Sequence, residues 1–243
     1  MEYILILGAK SDIARDIARI YAESGYSLYL AARQSTELEA FASDLRIKND
    51  VDVQNLDIDI LDYTSHQKFY DSLKKAPVGV VSAVGYLGSQ ELAESSFSEA
   101  KKILDTNYTG LVSIFEIIAK NFKLKKSGFI VGISSVAGDR GRKSNYHYGA
   151  AKAAFSTYLS GLRNRLYDSG VHVLTVKPGF VATKMTANLD LPSRLTGSSS
   201  TVAKDIVNAQ RKRVNILYTI SIWRLIMLVI KSIPEFQFKK MSI

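Results

Sequence analysis

The chain has 243 residues, nearly half of them apolar and about a quarter charged, a balance that suits one large α/β domain with a sizeable core. It contains no cysteine, which excludes disulfides, thiolate metal sites and cysteine nucleophiles. The net charge of +9 is uneven, because from Lys204 onward eight basic residues meet only two acidic ones.

The start, MEYILILGAK, has no basic n-region and runs directly from a short apolar stretch into a glycine turn. It reads as a first strand (3–7) and not as a signal peptide. A helical pattern follows, with apolar residues at 13, 14, 17, 18, 20 and 21. YSLYLAA is the second strand, a helix is expected over 35–47, and VDVQNLDI is the third strand. TSHQKFYDSLKK reads as helix, VGVVSAV as strand, 98–122 as a longer helix, and GFIVGISS as the fifth strand. A helix through Tyr148, the strand VHVLTV (171–176), a helix near 201–212 and the strand NILYTI (215–220) complete the series. TGSSST (196–201) reads as a loop. Strands alternating with helices predict βαβ units. Right-handed crossovers make this a doubly wound Rossmann-type α/β fold, with a mostly parallel seven-stranded sheet covered on both faces.

The turn LGAKSDIA (7–14) places Gly8, Lys10, Ser11, Asp12 and Ile13 where a pyrophosphate would meet backbone amides and the positive end of a helix. Only one glycine is present; Asp12 is expected to cap the helix through its own side chain. A generic strand–helix turn has the same spacing. Arg33 closes the second strand, where a guanidinium suits the 2′-phosphate of NADP(H) and an acidic residue would suit NAD(H). Lys10 would assist it. A solvated arginine at a strand end is the plainer alternative.

Tyr148 and Lys152 are four apart, so a helix puts them on one face. Tyr70 and Lys74 repeat the spacing, so the pair alone decides nothing. Tyr146 has Ala150 at that offset. With Gly8 and the alternating elements, the Tyr148/Lys152 pair resembles the short-chain dehydrogenase/reductase family over residues 1 to 220. The family's catalytic serine lies thirteen residues before its tyrosine; Ser135 of GISSVAG stands there, whereas Tyr70 has Asp57. DILD (59–62) is similar to the segment that touches the adenine, bringing in Asp59 and Ile60. SAVG (82–85) keeps only the last glycine, Gly85, of the family's Asn-Asn-Ala-Gly. Asn107 in DTNYTG matches the fourth catalytic position. KPGFVATKM (177–185) resembles the proline–glycine segment, giving Pro178, Gly179, Val181 and Thr183, the last placed to meet the nicotinamide amide. Leu7, Asp12, Ala14 and SAVG depart from the family pattern.

The resemblance implies an NAD(P)-dependent oxidoreductase that reduces a carbonyl or oxidises a secondary alcohol. Tyr148 would be the acid–base residue, Ser135 would hold the substrate oxygen, Lys152 would also hold the nicotinamide ribose, and Asn107 would organise a water path. The Lys152 ammonium on the same helical face and the positive charge of oxidised nicotinamide are together expected to lower the phenol's pKa toward neutrality. NADP(H) is favoured over NAD(H), and a homo-oligomer is expected. Tyr146 and His147 read as pocket wall or surface, His66 and His172 as structural, and no spacing suggests a metal or nucleic-acid site. A dinucleotide sensor without catalysis would have no need of Ser135.

The chain closes with SIWRLIMLVIKSIPEFQFKKMSI. Its longest uncharged stretches, Val214–Trp223 and Leu225–Ile230, fall short of the ~20 residues that span a bilayer. A helix over 221–233, ended by Pro234 and followed by Phe236, Phe238, Lys239 and Lys240, has the mix of a segment lying in a membrane interface. Packing on its own sheet or on a partner subunit is the alternative. The tail resembles the family branch containing the reductase component of the decaprenylphosphoryl-ribose 2′-epimerase system, which implies a keto-sugar on a polyprenyl phosphate. The other reading is a small soluble ketone or alcohol, with the tail used for dimerisation. The expected location is cytoplasmic, soluble or peripheral on the inner face of the membrane.

Overall fold

The computed structural model describes residues 1–187 and 189–241. Seven parallel strands, in the order β3-β2-β1-β4-β5-β6-β9, form the sheet: β1 Tyr3–Leu7, β2 Ser27–Ala32, β3 Val53–Asp57, β4 Gly79–Ser82, β5 Phe129–Ile133, β6 His172–Pro178 and β9 Ile216–Thr219. β1, β2 and β4 are buried along their whole length, as strands covered on both faces must be. Their side chains alternate between two cores. Ile4 and Ile6 point toward α1 (Asp12–Glu23), α2 (Glu39–Asn49) and α8 (Ser199–Arg211). Leu5 and Leu7 point toward α3 (His66–Asp71), α6 (Gly110–Lys125) and α7 (Tyr146–Leu166). Each fully buried aliphatic or aromatic side chain contributes about 1.5–3 kcal/mol, so the two cores fix the sheet between helix layers. Strand order reverses between β1 and β4, and the crevice at the carboxyl ends of such strands is where this fold binds ligands.

Three local expectations change, and one helix appears that the sequence reading did not name. The helix expected over 98–122 is broken: α5 (Phe97–Leu104) passes through a π turn at Asp105–Thr109 before α6 begins. There the chain passes so close to its neighbour that a Cβ on Gly110 would lie 2.3 Å from the Ile60 carbonyl oxygen. The TSHQKFYDSLKK helix is reduced to α3. A short helix, α4 (Gln90–Ser95), follows Ser89, whose hydroxyl accepts the Leu92 N–H at 3.2 Å. The TGSSST segment is not a loop: β8 (Thr196–Ser198) pairs in parallel with β7 (Phe180–Ala182), and Ser198 caps α8. Past β9 come α9 (Ile222–Ser232) and α10 (Glu235–Phe238). Asn188, and Ser242 and Ile243 at the end of the tail read over 221–243, lie outside the described residues.

Candidate active site

A cavity of about 910 Å³ opens at the carboxyl ends of the strands, near the top of the ~300–1,000 Å³ range of small-molecule sites. Its first wall is the turn after β1. Gly8 adopts φ +77°, and a Cβ there would lie 2.8 Å from the Val84 nitrogen and 2.9 Å from the Ala83 carbonyl carbon. Only glycine fits both the left-handed backbone and that approach. Ser11 is the N-cap of α1 without a side-chain cap bond, and Ile13 anchors the helix in the core. Asp12 does not cap α1. Its carboxylate instead accepts the Lys184 N–H at 2.8 Å, tying the turn to the segment beyond β7.

Arg33 is exposed on the cavity wall just past β2. Lys10 also lines the cavity, but its ammonium pairs with Glu37 at 2.8 Å. Asp59, past β3, accepts the Leu61 N–H at 3.0 Å beside buried Ile60. Gly85, Pro178, Gly179, Val181 and Thr183 form the opposite wall. Thr183 and Thr186 bond reciprocally to start the turn Lys184–Thr186. The backbone approach at Gly8, the cap left open at Ser11 and the cation at Arg33 fit a nicotinamide dinucleotide along this side.

Ser135, Tyr148 and Lys152 share the reacting end of the cavity. Ser135 follows β5, and its Oγ accepts the Ala137 N–H at 3.1 Å. That leaves the hydroxyl hydrogen to donate elsewhere. Tyr148 and Lys152 enter from the first turns of α7, with the Lys152 Nζ 5.6 Å from the phenol ring centroid. Lys152 is 2% exposed and donates to the Ile133 carbonyl at 3.1 Å. Burial pushes its ammonium down to about 7. Burial pushes the Tyr148 phenol up to about 12, with the Ser135 hydrogen bond pulling the other way. Both shifts have one cause, since burial disfavours whichever form is charged.

Asn107 does not line the cavity. It sits fully buried on the π turn, donating to the Tyr86 and Ile103 carbonyls at 2.7 and 2.8 Å and accepting the Tyr86 N–H at 3.2 Å. Its amide holds the chain at Gly85 and Tyr86, behind the wall. Tyr146 is exposed and His147 bonds Gln90 at 3.0 Å, both away from the cavity. His66 and His172 bond Ser113 and the Val214 carbonyl respectively. Among the lining residues that the sequence reading did not name are two polar ones close to the reacting end. Arg142 and Asn145 precede α7 in a loop without periodicity, so no local signal marked them.

The tail helix packs on its own chain. Trp223 and Met227 of α9 are buried against Val136, Phe180, Leu195 and Tyr218, and the Trp223 indole donates to the Leu195 carbonyl at 3.0 Å. Arg140 caps the helix's last carbonyls, including Ile233 at 2.7 Å, pairs with Glu235 and lies 3.9 Å from the Phe238 ring centroid. The opposite face, Ile222, Leu225, Leu228 and Val229, stays exposed beside Arg224 and Lys231. No helix among the described residues is long and apolar enough to cross a membrane.

A parallel sheet, a glycine turn at its switch point and a serine–tyrosine–lysine wall define a dinucleotide-dependent dehydrogenase class. The sequence model of the short chain dehydrogenase family matches residues 2–193. An uncharacterised oxidoreductase of Mycobacterium tuberculosis is 32% identical over 241 residues, 98% of this chain and 96% of that protein. An NADP-dependent 3-hydroxy acid dehydrogenase of Schizosaccharomyces pombe is 30% identical over 186 residues, 74% of this chain and 72% of its own. Among solved structures, a short-chain dehydrogenase from Sphingobium yanoikuyae in complex with NADPH superposes with a TM-score of 0.83 at 22% identity, covering 97% of both chains. The chain belongs to the short chain dehydrogenase family and is an NAD(P)-dependent oxidoreductase.

Proposed function

We propose that the whole chain acts as one catalytic domain that reduces a carbonyl, or oxidises a secondary alcohol, with Tyr148 as the acid–base residue. The observation that carries this reading is the meeting of Ser135, Tyr148 and Lys152 on one cavity wall. The reduced nicotinamide supplies the hydride; the protein supplies position and field. Ser135, whose hydroxyl also meets the Tyr148 phenol, donates to the substrate oxygen, and Tyr148 delivers the proton as that oxygen becomes an alkoxide. Lys152, held by the Ile133 carbonyl, orients the ribose and places positive charge near the phenol. Asn107 acts by positioning Gly85 and Tyr86. Consumption of NADPH with a panel of ketones tests the reading, and absence of turnover with any acceptor in either direction counts against it.

NADP(H) is the preferred cofactor in this reading, because Arg33 stands exposed on the cavity wall at the ribose end. Arg33→Ala is expected to weaken NADPH binding about tenfold or more, as loss of a charge-assisted hydrogen bond does, and to leave NADH binding nearly unchanged. Equal losses for both in fluorescence titrations would remove the 2′-phosphate argument.

The finer reading is a substrate presented at a membrane, a keto-sugar on a polyprenyl phosphate, with the enzyme peripheral on the cytoplasmic side. The exposed apolar face of α9, flanked by Arg224 and Lys231 and followed by Lys239 and Lys240, supports it. Wild-type protein is expected to float with anionic vesicles at low salt and less so at high salt. Leu225→Glu/Leu228→Glu, which alters only exposed positions, is expected to stay at the bottom of the gradient. Equal flotation of both, or none by either, argues against the membrane. In that case the same face serves a homo-oligomer, and soluble ketones become the substrates to screen.

A further inference from the structure

Arg142 has an unusual setting. It lines the cavity with Ser135, Tyr148 and Asn145, yet its Nε is buried without a hydrogen-bond partner among the described residues, and so is the Asn145 Oδ1. The guanidinium contact found is NH2 on the Met227 sulfur at 3.3 Å, a weak acceptor. A half-buried charge that lacks a good partner is costly to fold around, and burial pushes this guanidinium's pKa down while Asp139 pulls it up. Asp139 is engaged elsewhere, with Lys177 and with the Tyr218 hydroxyl at 2.8 Å. The carboxylates on the cavity wall are Asp12 and Asp59. They lie past β1 and β3 and accept the Lys184 and Leu61 N–H groups. Neither belongs to the loop and helix that carry Arg142 and Tyr148.

We propose that Arg142 receives an anionic oxygen of the substrate, a carboxylate or a phosphate, and thereby selects carbonyl compounds that carry negative charge near the reacting carbon. This rests on the reading of Tyr148 as the acid–base residue, and it adds the substrate's charge, which that reading leaves open. The guanidinium fork suits bidentate recognition of planar carboxylates and of phosphates. Asn145 lines the same stretch of wall, but its unpartnered atom is an acceptor, which suits a hydroxyl of the substrate and not the anionic oxygen. Arg142 is a specificity residue here; the proton still comes from Tyr148.

The test compares matched pairs: acetoacetate with methyl acetoacetate, and dihydroxyacetone phosphate with dihydroxyacetone, each as acceptor with NADPH. Wild-type enzyme is expected to favour the charged member of at least one pair, and which pair it is separates carboxylate from phosphate. Arg142→Met is expected to cut kcat/KM for that charged member by about tenfold or more, the scale of a lost charge-assisted hydrogen bond, and to leave the neutral member within about twofold. Arg142→Lys, which keeps the charge, is expected to restore part of the preference and serves alone where the Met variant does not fold. A wild-type preference for the neutral members, or equal losses on both, overturns the proposal. Should no acceptor be turned over, the catalytic reading fails separately. The anion site is then judged by calorimetric binding of 3-hydroxybutyrate and of its methyl ester to wild type and variant. Binding of the acid that does not depend on Arg142, or no binding of the acid, overturns it as well.

Discussion

Tyr148→Phe is expected to lower turnover by about 10²–10⁴-fold, the contribution of a positioned general acid, while the protein still folds and binds its cofactor. The change removes one oxygen from a side chain on the cavity wall and leaves the ring that packs beside Ala93, Ala100 and Ile103. Ser135 keeps its bond to the Ala137 N–H, so the oxygen-binding hydroxyl stays in place without its proton source. The pH dependence follows from the same phenol. With Tyr148 pushed up to about 12, its acid form is present throughout the neutral range. The phenol itself therefore imposes little change on carbonyl reduction from pH 6 until it ionises, and the step expected near pH 7 is the loss of the Lys152 ammonium, pushed down to about 7 by burial. Alcohol oxidation needs the phenolate, so its kcat/KM is expected to rise with pH over that interval. Tyr148→Phe should abolish the rise. A variant that turns over like wild type, or that loses cofactor binding in proportion to activity, would take the acid–base role away from Tyr148.

The sequence made part of this site legible because that part is local. Tyr148 and Lys152 are one helical turn apart, and Ser135 stands at the end of a strand that its apolar run announces. Gly8 is visible because a glycine between a strand and a helix has few other reasons to be there. Other features depend on contacts between distant segments. Asp12 looked like a helix cap, yet its partner is Lys184, 172 positions away. The apolar periodicity of 98–122 continues across the π turn, so the break that carries Asn107 left no mark. Arg142 reads as one of several basic residues in GDRGRKSN, and only the fold gives it a place on the cavity wall with no good partner. The opposing effect of burial on the phenol was out of reach for a related reason. Spacing showed an ammonium beside it but could not show that burial bears on both groups, or that Lys152 is held by the Ile133 carbonyl.

Trp223→Ala is expected to destabilise the protein by about 3–5 kcal/mol, the range for removing a large aromatic from a packed site. The indole is 3% exposed, meets the Phe180 ring edge-on at 4.9 Å, and donates to the Leu195 carbonyl. Its removal leaves a void and an acceptor without its donor. The seat of this side chain is Gly179, where a Cβ would lie 2.0 Å from the indole nitrogen. The glycine expected to meet the cofactor therefore also makes room for the tail helix, so the tail and the cavity wall are one packing unit. Gly179→Ala alone should be destabilising, because the new methyl group and the indole cannot both be accommodated. In a Trp223→Ala background the methyl enters space already vacated, and the second change should cost much less. Thermal and urea unfolding of the two single variants and the double variant would give this difference as a coupling energy, expected within the ~0.5–3 kcal/mol found for residues in contact. Strictly additive effects would mean that Gly179 is required for something other than Trp223.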